Sequence, residues 1–181
     1  MDKHYLTSLF SPASIVVFAG SRADSADAAS SSGLARLLHE DLRAQRFNGT
    51  LHFLDIETSG GTLGELAQSR ADLAIIALPP AEIAAALEVA ARIRCRSAVV
   101  IASGIDAAQA TALKEIALRE DLHVLGPNSL GFQRPHLQLN ASAAGPLARP
   151  GSLALVSQSG ALTASMLDGV FRRAVDLVQG S

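Results

Sequence analysis

The residues of this chain best able to do chemistry sit in five short turns, each after an apolar run. Gly20-Ser21-Arg22 offers close backbone approach, a hydroxyl and a cation, a set suited to a phosphate at a helix start. An ordinary strand-to-helix turn accounts for the same residues, and no second close glycine completes a Gly-x-Gly-x-x-Gly fingerprint. Leu78-Pro79-Pro80 makes a rigid turn that stops its strand and suits the flat or apolar part of a ligand. Ser103-Gly104 has the same position after the next apolar run, and plain strand termination explains both. Gly126-Pro127-Asn128 presents a side-chain amide that donates and accepts, as recognition of an amide-rich ligand requires; an Asx turn is the rival explanation. Ser157-Gln158-Ser159-Gly160 reads as an anion-binding helix N-terminus, with Ser159 equally able to act as an N-cap.

Other reactive residue types point away from chemistry. Cys95 is the single cysteine, which excludes an internal disulfide and a cysteine metal site and favours a buried thiol. The histidines (His4, His39, His52, His123 and His136) lack close metal-type spacing, so no metal site is expected. A net charge of −2 with no basic block, and an aromatic content of 4%, argue against a nucleic-acid platform. No signal-peptide pattern opens the chain and no apolar run reaches the length of a membrane span, so a soluble, cytoplasmic protein is expected.

The elements that must position these turns alternate. Apolar runs at Ser14–Ala19, Thr50–Asp55, Asp72–Leu78, Ser97–Ala102 and His123–Leu125 read as strands buried on both faces, hence parallel. Helical spacing links them from Gly33 to about Arg46, around Leu63–Gln68, from Pro80 to about Arg92, and from Asp106 to about Glu120. Parallel strands joined by helices require right-handed crossovers, which makes an α/β, doubly wound sheet. At 49% hydrophobic but nearly free of large aromatics, the chain must fill this sheet's layers with Ala, Leu, Val and Ile.

Between Gly126 and Pro150 the pattern lapses into a Pro- and Gly-punctuated excursion. It resumes with an expected strand at Ser152–Val156, a helix from Ser159 to about Arg173, and a strand at Val175–Val178. About thirty residues cannot bury a core alone. The division expected is therefore a first domain over 1–149 and, over 150–181, the cut-off beginning of a second α/β domain.

Taken in order, these pieces carry a family resemblance. They are Ser11-Pro12-Ala13-Ser14-Ile15-Val16-Val17, Gly20-Ser21, Asp72-Leu73-Ala74-Ile75-Ile76, Gly126-Pro127-Asn128-Ser129-Leu130-Gly131, Leu139-Asn140-Ala141, and the run from Pro150 to Leu162. Together they resemble the N-terminal CoA-binding domain of the NDP-forming acyl-CoA synthetases. That superfamily includes the succinyl-CoA synthetase α-subunit and bacterial protein lysine acetyltransferases with a degenerate synthetase module. The resemblance spans nearly the whole chain, and Ser129, where many synthetases have Cys, leans toward the acetyltransferase branch.

The resemblance implies a Rossmann-like domain followed by the start of a flavodoxin-like one. It also implies coenzyme A or an acyl-CoA as ligand, with Gly20, Ser21 and Arg22 at its phosphates. Leu78, Pro79, Ser103 and Gly104 would line nucleotide and pantetheine, and Asn128 would sit toward the thiol. Ser157, Gln158, Ser159 and Gly160 would open the second domain, where active synthetases use such a helix start to hold a phosphorylated histidine. No histidine here falls in that motif, so the chain alone is expected to bind rather than catalyse, as one module of a synthetase or an acetyltransferase-like protein. A homo-oligomer, or association with downstream synthetase domains, would be its protein partner. Two departures bear on the site: the stretch from Gly20 to Gly33 is longer and richer in serine than the family's turn, and Asp55-Ile56-Glu57-Thr58 replaces its Val-Asn-Pro. Asp55 instead stands where an NAD(P)-binding module has its ribose-binding acid, about twenty residues past Gly33. A regulatory or interaction domain that keeps the fold without the ligand is the third reading.

Overall fold

The computed structural model describes residues 4–19, 38, 42, 46–54 and 71–179. The turn Gly20-Ser21-Arg22, Asp55 and the expected helical stretch at 63–68 lie outside the described residues. Strands β1 (Ser14–Phe18), β2 (Thr50–Leu54), β3 (Leu73–Ile76), β4 (Ser97–Val100) and β5 (His123–Leu125) form one parallel five-stranded sheet in the order β2-β1-β3-β4-β5. Every residue of β3 and β4 is buried, and so is β1 from Ile15 on, as an unbroken apolar run demands when both sheet faces are covered. The two edge strands are only partly buried. The fold is α/β and Rossmann-like, and its strand order reverses beside β1.

Successive strand side chains point to opposite faces, so each strand feeds two cores. On one face, Val16, Phe18, Ala74, Ile76, Ala98 and Val100 meet Ile83, Leu87, Leu113 and Ile116 of helices α2 (Pro80–Arg92) and α3 (Ala107–Arg119). The α2 start follows from Pro79-Pro80: Pro80 takes a first-turn position where its missing N–H loses nothing. On the other face, Ile15, Val17, Ile75, Val99 and Ile101 pack with Leu9 of α1 (Tyr5–Phe10) and with Leu38 and Leu42, both helical.

Two residues of an antiparallel ribbon, Leu139 and Ala141, complete that second layer. The ribbon, β6 (Gly131–Arg134) and β7 (Leu139–Ser142), is joined through a 3₁₀ turn at Pro135–Leu137. It lies within the stretch read as an irregular excursion. Its two-residue alternation was hidden because Asn140 and Ser142, polar by type, are buried as well. Asn140 donates to the Gly145 carbonyl (2.8 Å) and accepts from Ser142 Oγ (2.6 Å), so burial leaves neither group unpaired. The ribbon is tied back to α1 by an edge-on contact of Phe10 with Phe132 (centroids 5.3 Å apart) and by Arg134 donating to the Phe10 carbonyl.

The C-terminal part differs from expectation. Residues 152–156 form no strand and are exposed along their length, with Leu153 at 95% and Val156 at 96%. An unpaired strand would leave its ladder groups without partners, and no described neighbour pairs with this one. Val175–Val178 is likewise helical, inside α4 (Gly160–Gln179). Taken alone Val-Asp-Leu-Val reads as extended, but Leu167, Phe171, Val175 and Val178 continue one helical spacing of three and four. Among the described residues no helix is long and apolar enough to cross a membrane.

Candidate functional site

In an open parallel sheet a ligand crevice forms beyond the carboxyl ends of the strands, where the chain leaves in opposite directions from neighbouring strands. Here that point lies between β1 and β3. The strand ends are level: Leu54, Phe18, Ile76 and Val100 occupy one register row. Ladder bonds continue one residue further, from Ala77 N–H to the Phe18 carbonyl and from Ile101 N–H to the Ile76 carbonyl (both 2.8 Å). The chain therefore leaves β1, β3, β4 and β5 side by side along one edge.

Leu78 and Pro79 follow β3 at this edge. The Leu78 side chain is core, 1% exposed, so it can offer a ligand only backbone, whereas Pro79 is exposed. Ser103 and Gly104 follow β4 and are both exposed. Two residues on, Asp106 caps α3: its carboxylate accepts the Gln109 N–H (2.7 Å), and the Gln109 side chain accepts the Asp106 N–H (3.0 Å). This reciprocal cap occupies the α3 start with a negative charge and disfavours a phosphate there. At α2, Pro79 makes no side-chain cap bond, and Glu82 puts another carboxylate in the first turn.

Asn128 stands on the loop after β5, exposed, with φ at 59°. Its N–H donates to the Ala102 carbonyl (2.8 Å), which ties this loop to the one after β4. The loop begins with a cis Gly126–Pro127 bond. Gly126 has φ at +109°, and a β-carbon there would come within 2.5 Å of the Val100 carbonyl oxygen, so glycine is required for β5 to turn off beside β4. Ser129 Oγ accepts the Gly131 N–H (3.0 Å) and closes the loop.

The Ser157–Gly160 turn meets the same loop. Gly160 packs against the Leu130 side chain. Ser159 caps α4, its Oγ accepting the Leu162 N–H (3.3 Å), and its own N–H donates to Ser157 Oγ (3.0 Å). Gln158 is exposed. The fold thus gathers Pro79, Ser103, Gly104 and Asn128 along the sheet edge, and sets the serine turn against Leu130 of the Asn128 loop.

No family model matches the chain. Over 101 residues it is 34% identical to an ADP-forming acetate–CoA ligase of Methanocaldococcus jannaschii, covering 54% of this chain and 14% of that protein. It is 33% identical over 110 residues to ADP-forming acetate–CoA ligase I of Archaeoglobus fulgidus, covering 58% of this chain and 16% of the relative. It is 31% identical over 102 residues to the alpha subunit of ADP-forming acetate–CoA ligase II of Pyrococcus furiosus, with 53% and 22% covered. The chain is a relative of the NDP-forming acyl-CoA synthetases. It spans less than a quarter of the length of these curated relatives. Among solved structures, the PH0766 protein of Pyrococcus horikoshii superposes with a TM-score of 0.75 at 23% identity, over 93% of this chain and 40% of that one. A dinucleotide-forming acetyl-coenzyme A synthetase 1 of Ca. Korarchaeum cryptofilum, solved with phosphate and ADP, gives 0.74 at 24% identity, over 89% and 35%. These likenesses establish the fold.

Within this synthetase relative, some singled-out residues are structural. Cys95 is buried, and burial first, then the negative charge of Asp72, pushes its thiol up to about 12, which rules it out as a nucleophile near neutral pH. Asp72 sits just ahead of β3, at the sheet edge opposite the candidate site. Its carboxylate accepts the N–H groups of Ala13 (2.8 Å) and Ser14 (3.3 Å), and so fastens the entry to β1. His4 caps α1, its Nδ1 accepting the Leu6 N–H (3.3 Å), and His136 Nε2 pairs with the Gly151 carbonyl (3.2 Å). The Leu139-Asn140-Ala141 motif builds the ribbon described above. Sequence reasoning missed Asp106 as a charge on the ligand edge and Leu130 as the partner of Gly160. The first was legible from Asp-x-x-Gln before a helical run, the second from no local signal.

Proposed function

We propose that this chain binds coenzyme A or an acyl-CoA across the carboxyl edge of its sheet, as the front module of an NDP-forming acyl-CoA synthetase or an acetyltransferase-like protein. The observation that carries the reading is the reversal of strand order beside β1, in a chain related by sequence to ADP-forming acetate–CoA ligases. The Asp106 cap argues against phosphates at α3. It favours the turn after β1, with Gly20, Ser21 and Arg22, for the ligand's anionic end. Pro79, Ser103 and Gly104 then serve the uncharged nucleotide and pantetheine parts, and the Asn128 amide serves the thiol end.

In this reading the chain binds and orients, and residues outside it carry out acyl activation. Residues 150–181 open a second α/β domain: the exposed Leu153 and Val156 are the kind of apolar surface a neighbouring domain covers. Association with such domains, in the same or another chain, is the partner this reading expects, and a coenzyme A ligand accords with a cytoplasmic location.

Calorimetric titration of the 181-residue chain with CoA, acetyl-CoA and NAD(H) tests the proposal. Saturable binding of CoA or acetyl-CoA is expected, and ligand at a hundred times Kd should add about 2.7 kcal/mol of stability. Tight NAD binding with no response to CoA would overturn the reading in favour of a dinucleotide module. If no nucleotide raises the melting temperature, the ligand-free interaction domain is correct.

A further inference from the structure

We propose that Leu130 and Gly160 form a packing joint, in which Leu130 acts as a positioning residue that ties the Asn128 loop to the start of α4. The joint rests on van der Waals contact. A β-carbon at position 160 would lie 3.0 Å from Leu130 Cγ, 3.2 Å from Cδ1 and 3.7 Å from Cδ2, so an added methyl makes Leu130 or the helix start give by a few tenths of an ångström. The Leu130 main chain is held in place. Its carbonyl accepts the Ala143 N–H (2.9 Å), the next residue, Gly131, begins β6, and Ser129 Oγ holds the Gly131 N–H. Two residues earlier, the Asn128 N–H is bonded to the Ala102 carbonyl of the β4 loop. A push on Leu130 that its half-buried side chain does not absorb by rotation is passed either to Asn128 or to α4.

Much of the surface around the helix start is exposed among the described residues. Leu162 and Met166 are about half exposed (51% and 49%), and Leu153 and Val156 ahead of it are almost wholly so. The Gly151 carbonyl, bonded to His136, anchors the segment nine residues before the helix. The seating of the Ser157–Gly160 turn and the placement of the Asn128 amide are therefore coupled through one leucine side chain. This deepens the proposed CoA reading and rests on Asn128 facing the thiol end of the ligand. Occupancy of that end would bias the helix start, and a displaced helix start would weaken binding there, as reciprocity between coupled sites requires.

A double-mutant cycle on the 181-residue chain, Gly160→Ala and Leu130→Ala singly and together, tests the joint by two readouts. The first is calorimetric affinity for CoA and for 3′-phosphoadenosine 5′-phosphate, which lacks the pantetheine arm. Gly160→Ala should weaken CoA about tenfold, within the usual range for coupled sites, and leave the nucleotide fragment within about twofold. In the Leu130→Ala background the same substitution should leave CoA affinity unchanged. Equal losses for both ligands, or equal losses in both backgrounds, would overturn the joint. The second readout is the midpoint of urea unfolding, which needs no ligand. Gly160→Ala should lower the midpoint when Leu130 is present and raise it in the Leu130→Ala background, because alanine is the better helix former once the clash is gone. A shift of the same sign in both backgrounds overturns the joint whatever the ligand. A sign reversal in a chain that ignores CoA sustains the joint and refutes the CoA reading.

Discussion

Substituting Gly126 isolates the contact that lets β5 turn away from β4 at the ligand edge. Alanine there must adopt φ near +109° and place its methyl 2.5 Å from the Val100 carbonyl oxygen. Val100 is fully buried on a strand flanked by β3 and β5, so that oxygen cannot swing aside. The unfavourable backbone conformation costs about 1–2 kcal/mol, and overpacking against a fixed atom about 1–3 kcal/mol more. Against the roughly 5–15 kcal/mol that holds an ordinary domain together, this is a large fraction. Gly104 supplies the control: its φ is +78°, but an added β-carbon meets nothing within 4 Å. Gly104→Ala should therefore cost about 1–2 kcal/mol for conformation alone. Urea unfolding followed by far-ultraviolet circular dichroism separates the two. With slopes of about 1–3 kcal/mol per molar urea, the Gly126→Ala midpoint should fall by about 1–2 M, clearly further than that of Gly104→Ala. Equal midpoints for the two variants would refute the claim that the Val100 carbonyl clamps this turn.

Other expectations follow from the same contacts. Cys95 has its thiol raised from 9.0 to about 12, so the folded state keeps a proton that the unfolded chain releases above pH 9. Its contribution to stability is therefore full below pH 9 and is lost between pH 9 and 12, at about 1.4 kcal/mol per pH unit. Denaturant titrations across that window should show a shallower fall for Cys95→Ala than for the parent chain. Asp72→Ala removes a carboxylate that accepts two backbone N–H groups, and should lower unfolding free energy by about 2–4 kcal/mol without changing CoA affinity. Asn140→Ala removes the shorter of two donors to the Gly145 carbonyl and the acceptor of the Ser142 hydroxyl, leaving Gln133 to hold both, and should cost about 1–3 kcal/mol, with faster amide exchange through 143–148 as its local signature.

Much of the fold was legible because its signals are local. The apolar run from Leu73 to Leu78, cut off by Pro79-Pro80, is too short for a helix and reads as a strand covered on both faces, and Leu73–Ile76 is one. Pro79-Pro80 and Asp106 mark helix starts by the backbone chemistry of their own residues, and the helices begin there. The ribbon was not legible, since Asn140 and Ser142 occupy buried positions that residue type alone assigns to solvent. Their burial is possible only because Gln133 and the Gly145 carbonyl, placed by the fold, complete their hydrogen bonds. The end of α4 was misread for a related reason: a four-residue apolar window suits strand and helix alike, and only the longer spacing decides.

By itself, the amino-acid sequence determined that strands alternate with helices, that the sheet is parallel, and that five short turns follow apolar runs. It also carried the likeness to the acyl-CoA synthetases. Tertiary structure alone decided that the strand order reverses beside β1, that Asp72 reaches back to Ala13, and that Leu130 meets Gly160. Propensity and periodicity act over a few residues, whereas these contacts join positions up to sixty apart and depend on which strands become neighbours. That choice is made by the packing of the whole sheet, and it brings the turns after β3, β4 and β5 to one edge.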